Sequence, residues 1–176
     1  KQAYRHRRKA TYVCVLQRLY SGQTAKVKGD VTSRSFPIER GTKQGDPISP
    51  ILFNAVLEKM MRQLKEKWRR ERKGIQLKAG CEWLQNLRFA DDLLLIASSQ
   101  SQIKSMLQDL SEAAARVGLE LHMGKTKVLT WSASIHGAPN VFLGTDRVEV
   151  LAESEIEGYL GRKLSFACYM ETEFAN

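Results

Sequence analysis

At 176 residues, 43% of them hydrophobic and with only 12 Gly and 4 Pro, the chain suits one packed domain or a piece of a larger one and is excluded from the disordered and collagen-like classes. Lys and Arg number 28 against 19 Asp and Glu, and the net charge of +9 favours polyanionic partners, because each basic contact to a phosphate releases condensed counterions. The longest apolar run, Leu93 to Ala97, is too short to cross a bilayer, and Cys14, Cys81, Cys168, His6, His122 and His136 are too scattered for a disulfide framework or a zinc site.

Lys1 to Lys9 is a basic cluster without apolar periodicity. Tyr12, Val13, Leu16, Leu19 and Tyr20 fall at helical spacing, and Ser21-Gly22 stops that helix. Ala25 to Gly29 and Ser35 to Arg40 read as strands around a Gly29-Asp30 turn. A breaker-rich loop from Gly41 leads to a second helix, with Ser49 as N-cap and Pro50 at its first position. Ile51, Leu52, Ala55, Val56, Met60 and Leu64 form its apolar face. It closes in a basic run (Arg62, Lys65, Lys67, Arg69, Arg70, Arg72, Lys73) that reads as a solvated or a phosphate-facing surface, with Gly74 as terminator.

Glu82 to Phe89 and Leu93 to Ala97 read as buried strands flanking Ala90-Asp91-Asp92. Gln102 to Val117 is the clearest helix, capped by Ser99 or Ser101 and ended by Gly118. Ile103, Met106, Leu107, Leu110, Ala114 and Val117 are its core stripe. Short strands are expected at Leu119 to Leu121, Val128 to Trp131, Val141 to Leu143 and Glu157 to Leu164, with a turn at Lys125-Thr126-Lys127 and a polar linker from Ser132 to Asn140. The resulting fold class is α+β, with helices packed on one face of a mainly antiparallel sheet. The odd, scattered cysteines fit the reduced thiols of an intracellular protein.

Asp is depleted in strands, so two consecutive aspartates between Leu-rich runs need a reason. A polar turn is the bland one. Two such carboxylates about 4 Å apart repel by roughly 1–4 kcal/mol, a term that a divalent cation reverses. Two cations can also stabilise the attacking and leaving oxygens of an in-line phosphoryl displacement. Upstream, Gln44-Gly45 sits in a loop that leads to a helix N-terminus, where backbone N–H groups favour an anion. Capping explains Ser49-Pro50 but not Gln44-Gly45.

These segments carry a resemblance. Arg40-Gly-Thr-Lys-Gln-Gly-Asp-Pro-Ile-Ser-Pro-Ile-Leu-Phe53 resembles the template- and nucleotide-contacting motif of reverse transcriptases. Phe89-Ala-Asp-Asp92 resembles their catalytic tetrapeptide, Gly118-Leu-Glu-Leu-His-Met-Gly-Lys-Thr-Lys127 their lysine-bearing motif, and Tyr159-Leu-Gly161 their primer-gripping hairpin. The wording is closest to retrotransposons lacking long terminal repeats, then to group II intron enzymes. All four motifs stand in family order over roughly residues 18 to 164.

The resemblance implies a polymerase palm with part of the fingers over residues 1–164, and a tail or the start of a thumb over 165–176. The implied activity is RNA-directed DNA synthesis with two magnesium ions, an RNA template, a DNA primer and deoxynucleoside triphosphates. Asp91 and Asp92 would be the metal ligands, Phe89 a support below the primer end, Gln44 and Gly45 contacts to template and nucleotide, and Lys125 the acid for the leaving pyrophosphate. No membrane partner is implied, and a nuclear or nucleic-acid-associated location is expected. The family also uses an upstream Asp-x-x-x-Ala-Phe/Tyr-Asp strand. Lys1-Gln2-Ala3-Tyr4 looks like its tail, its leading Asp would fall just before Lys1, and Arg5 stands where its trailing Asp is expected. His122 replaces the usual Asn. The opening without Met points to a segment of a longer chain. A catalytically inactive nucleic-acid-binding remnant of a decayed element is the alternative, and RNA polymerases with an acidic hairpin lack the Gln-Gly-Asp-Pro loop.

Overall fold

The computed structural model describes residues 2–39, 41–43, 45–130, 140–151 and 155–165, with side chains from residue 11 onward. Packing divides the chain into two units, Lys1–Asp46 and Pro47–Asn176. In the first, α1 spans Gln2–Tyr20. It runs back through the aperiodic basic cluster, because Gln, Ala, Lys and Arg are good helix formers and no Gly or Pro interrupts them. β1 (Thr24–Ala25) and β2 (Phe36–Pro37) pair antiparallel, and a Lys28–Thr32 bridge brackets the expected Gly29-Asp30 turn. Both strands are shorter than their sequence suggests. Pro37 has no N–H to extend the ladder.

The second unit opens with α2 (Ser49–Arg70). Its N-cap is Ile48, not Ser49: the helix starts one residue early, Ser49 is buried in its first turn, and Pro50 follows inside that turn. The buried face also differs from expectation. Leu57, Met60, Met61, Leu64 and Trp68 are buried, whereas Ile51 and Val56 are exposed. Gly74 is not the terminator. The Arg72 N–H bonds the Arg69 carbonyl and the Lys73 N–H the Trp68 carbonyl, a Schellman closure whose left-handed residue is Arg72, with φ 53°.

β3 (Ile75–Gln76) and β4 (Trp83–Leu84) pair antiparallel, as do β5 (Asn86–Phe89) and β6 (Asp92–Leu95). Then α3 (Gln100–Arg116) follows, its Ser99 cap accepting from the Gln102 N–H at 3.3 Å. Gly118 and Leu119 donate to the Ala115 and Ala114 carbonyls, so the helix takes up the backbone where a strand was expected at Leu119 to Leu121. After a 3₁₀ turn at Met123–Lys125, β7 (Lys127–Leu129) pairs parallel with β9 (Asp146–Leu151), which pairs antiparallel with β8 (Val141–Leu143). β10 (Glu157–Tyr159) and β11 (Arg162–Leu164) form a last hairpin. Most of the expected linker from Ser132 to Asn140 lies outside the described residues.

The class is α+β, as expected. The single sheet is not: the described strands form five small sheets, one of them with a parallel pair. Met106, Leu110 and Ala114 of α3 pack on the buried face of α2, while Leu107 packs on Val128, Val141 and Val148 of the three-stranded sheet. No described helix is long and apolar enough to cross a membrane.

Candidate active site

The acidic pair sits on the β5–β6 hairpin of the second unit. Register pairs Phe89 with Asp92, which leaves Ala90 and Asp91 as the two-residue loop. Asp92 is thus the first residue of β6, not part of the turn. Ala90 has φ 52°, a left-handed value that is uncommon for a side chain with a Cβ and marks local backbone strain. Such strain is held by surrounding structure. Here the inner face supplies it: Leu93 and Leu95 pack into the α2–α3 core, and Arg88 reaches Glu58 of α2 at 2.7 Å. The Glu58 carboxyl is held below its ordinary value by hydrogen bonds from Arg88 first and Arg62 second.

Strand alternation then sends Leu87, Phe89, Asp92 and Leu94 to the opposite face. This face is more open than two buried strands would be. Phe89 is 65% exposed and Leu87 47%, because only one side of the hairpin has a described core beneath it. Asp91 and Asp92 are both exposed, and neither carboxylate makes a hydrogen bond or ion pair within the described residues. Two adjacent unpaired carboxylates are a hard-oxygen donor set that suits a divalent cation. Among the described residues no group of three metal-ligating side chains forms.

Lys125 ends the 3₁₀ turn before β7, exposed and without a hydrogen bond or ion pair to the acidic pair. Burial first, and the charge of Asp92 second, push the Tyr159 phenol above its ordinary value, and its hydroxyl is buried without a hydrogen-bond partner. Gly45 belongs to the first unit. It stands two residues after Lys43 in a turn closed by the Asp46 N–H on the Lys43 carbonyl at 3.3 Å, and its φ of 86° favours a glycine. Gln44 lies outside the described residues.

Asp109 is a structural residue that the sequence reading missed. It accepts from Lys67 Nζ at 2.7 Å and from Trp68 Nε1 at 2.9 Å, tying α3 to the C-terminal turns of α2. Burial raises its carboxyl, but the hydrogen bonds from Lys67 and Trp68 and the charge of Lys73 outweigh that and hold it below the usual range. Four of the basic run are engaged in ion pairs: Arg62 with Glu58, Lys67 with Asp109, Arg69 with Glu66, and Lys73 with Glu71 and Asp109. An acidic residue beside the α3 stripe, facing a Lys-Trp pair, was the available signal.

Comparison with known proteins agrees with the motifs. Residues 2–162 match the family described as reverse transcriptase (RNA-dependent DNA polymerase). The chain is 30% identical over 161 residues to the retrovirus-related Pol polyprotein from type-2 retrotransposable element R2DM of Drosophila melanogaster, covering 85% of this chain and 14% of that polyprotein. It is 34% identical over 114 residues to the Pol polyprotein from a type-1 retrotransposable element R2 of Popillia japonica, 65% of this chain and 15% of that protein. A similar polyprotein of Nasonia vitripennis is 36% identical over 90 residues, 51% of this chain and 8% of its own length.

Proposed function

The chain belongs to the reverse transcriptase family of retrotransposons lacking long terminal repeats, and on that premise we propose that it is the palm-bearing part of an RNA-directed DNA polymerase whose acidic site is the β5–β6 hairpin. The observation that carries the reading is the pair Asp91 and Asp92, exposed and unpaired on a strained turn whose other face is anchored in the core. The reaction is nucleotidyl transfer on an RNA template. A DNA primer 3′-hydroxyl forms a bond to the α-phosphorus of a deoxynucleoside triphosphate, and the bond to the bridging oxygen breaks to release pyrophosphate.

Asp91 and Asp92 would hold magnesium, which supplies positive charge for phosphate oxygens. The chain's own residues do the rest. The core-anchored hairpin keeps both carboxylates in one place, so little reorganisation accompanies the reaction. Phe89, exposed on the same face as Asp92, offers an apolar platform to the primer end. The glycine turn at Gly45 leaves backbone open to template and nucleotide, with Gln44 beside it in sequence. Lys125, with a free ammonium, donates the proton to the departing pyrophosphate.

The test is extension of a DNA primer annealed to an RNA template by the parent polypeptide. Extension requires magnesium, and Asp91→Asn abolishes it. Equal extension by Asp91→Asn contradicts the reading. A second reading, a nucleic-acid-binding segment without catalysis, is favoured by the net charge of +9. Salt-dependent RNA binding with no nucleotide incorporated selects it.

A further inference from the structure

The β10–β11 hairpin joins no other sheet through its backbone among the described residues. A side-chain contact reaches it from β7. Lys127, the first residue of β7, stands opposite Glu149 of β9 in the parallel ladder. Its ammonium lies 2.8 Å from Glu157 at the start of β10 and 3.8 Å from Glu149. Lys127 and Glu157 are partly shielded, at 27% and 34% exposed, whereas Glu149 is 59% exposed, so the Lys127–Glu157 contact is less screened than an open surface pair. The hydrogen bond that the ammonium donates to Glu157 is the main reason it is held above its ordinary value.

Two positions along β10 from Glu157, on the same face of the strand, is Tyr159. Its hydroxyl is buried and unpartnered. The hairpin closes at Leu160 and Gly161, both left-handed at φ 51° and 76°, the pattern of a type I′ turn. Glu157 and Tyr159 lie on one three-residue strand paired with β11, so a shift at Glu157 carries Tyr159 with it. At the other end of the contact, Lys127 follows the turn that carries Lys125 by two residues.

We infer that Lys127 and Glu157 are a positioning pair: they lock the β10–β11 hairpin, and Tyr159 with it, against the β7–β9 edge beside the turn bearing Lys125. The role rests on the polymerase reading given above, but its structural half does not. Lys127 touches no substrate in this role. It acts through Glu157, and its neighbour Lys125 keeps a free ammonium.

Two measurements test it. In amide hydrogen exchange on the 176-residue chain, Lys127→Met and Glu157→Gln each speed exchange over residues 157–164 by about tenfold, while α2 and α3 stay protected. The charge exchange Lys127→Glu with Glu157→Lys, and the conservative Lys127→Arg, restore protection. Unchanged exchange in both single variants overturns the inference, whatever the activity. In single-nucleotide incorporation by the parent polypeptide, the single variants lower kcat by about tenfold and leave the KM for the nucleotide within about twofold, and both rescue variants recover the rate. A rate loss that no rescue variant recovers also overturns it. Wild type and Asp91→Asn run alongside: if they incorporate equally, the polymerase reading fails and the exchange data alone decide the positioning pair.

Discussion

Replacing Asp109 with Ala removes the contact that fastens the helix pair beneath the hairpin. The carboxylate is 10% exposed and meets three donors: Lys67 Nζ at 2.7 Å, Trp68 Nε1 at 2.9 Å and Lys73 Nζ at 3.5 Å. Lys67 is half-exposed and returns to water when released. Trp68 is wholly buried, so its indole N–H is left without an acceptor, which costs about 1–3 kcal/mol. Lys73 is 11% exposed and loses one carboxylate, but it retains Glu71 and Ser105. The whole change falls at about 3 kcal/mol, the low end for breaking a buried charged contact. With a urea slope of roughly 1–3 kcal/mol per molar, the midpoint moves down by about 1–3 M. Asp109→Asn keeps an acceptor for Trp68 and loses less. In a Trp68→Phe background, which has no N–H to orphan, Asp109→Ala costs about 1–2 kcal/mol less. A midpoint shift in Asp109→Ala below about 0.3 M, or equal shifts in both backgrounds, refutes the assignment.

Acid should remove the same contribution. The folded Asp109 carboxyl is held below its unfolded value of about 4, so its stabilisation is present above that pH and lost as pH falls through the lower folded value. Urea midpoints at about pH 6 and about pH 3 should show the advantage of wild type over Asp109→Asn shrinking at the acid end. Arg72→Gly relieves a left-handed residue at the end of α2 and stabilises by about 1 kcal/mol, seen as a melting temperature roughly 2–4 °C higher. Gly74→Ala acts the other way. A Cβ there would lie 2.5 Å from the Leu84 carbonyl oxygen at φ 107°, and the loss is about 2–4 kcal/mol by chemical denaturation.

What was legible in the sequence is what short stretches determine. Ser99 caps α3 and Gly118 ends it because both act within one helical turn. The aspartates stand out because a two-residue hairpin loop between apolar strands has a local signature. Partner choice decided the rest. Trp68 and Leu57 are buried on α2, and Ile51 is not, because α3 with its Asp109 packs there. Ile75–Gln76 and Trp83–Leu84 are two-residue strands, too short to show a period. Leu119 had a strand-like composition but its N–H was already committed to Ala114. The open face of the acidic hairpin followed from the same cause, since flanking leucines reveal hydrophobicity but not which side will be covered. The site's family came through motifs, while the Lys127–Glu157 contact, 30 residues apart, became visible only in the fold.

The most direct test of the central claim is single-nucleotide incorporation into an RNA-templated primer as a function of magnesium concentration. The wild-type parent polypeptide should saturate with magnesium and add only the templated nucleotide. Asp91→Asn should fall by roughly a thousandfold at any magnesium concentration, and Asp92→Asn should need more magnesium for its remaining activity. Superimposable magnesium curves for the three proteins would contradict the assignment of Asp91 and Asp92 as the metal-holding pair.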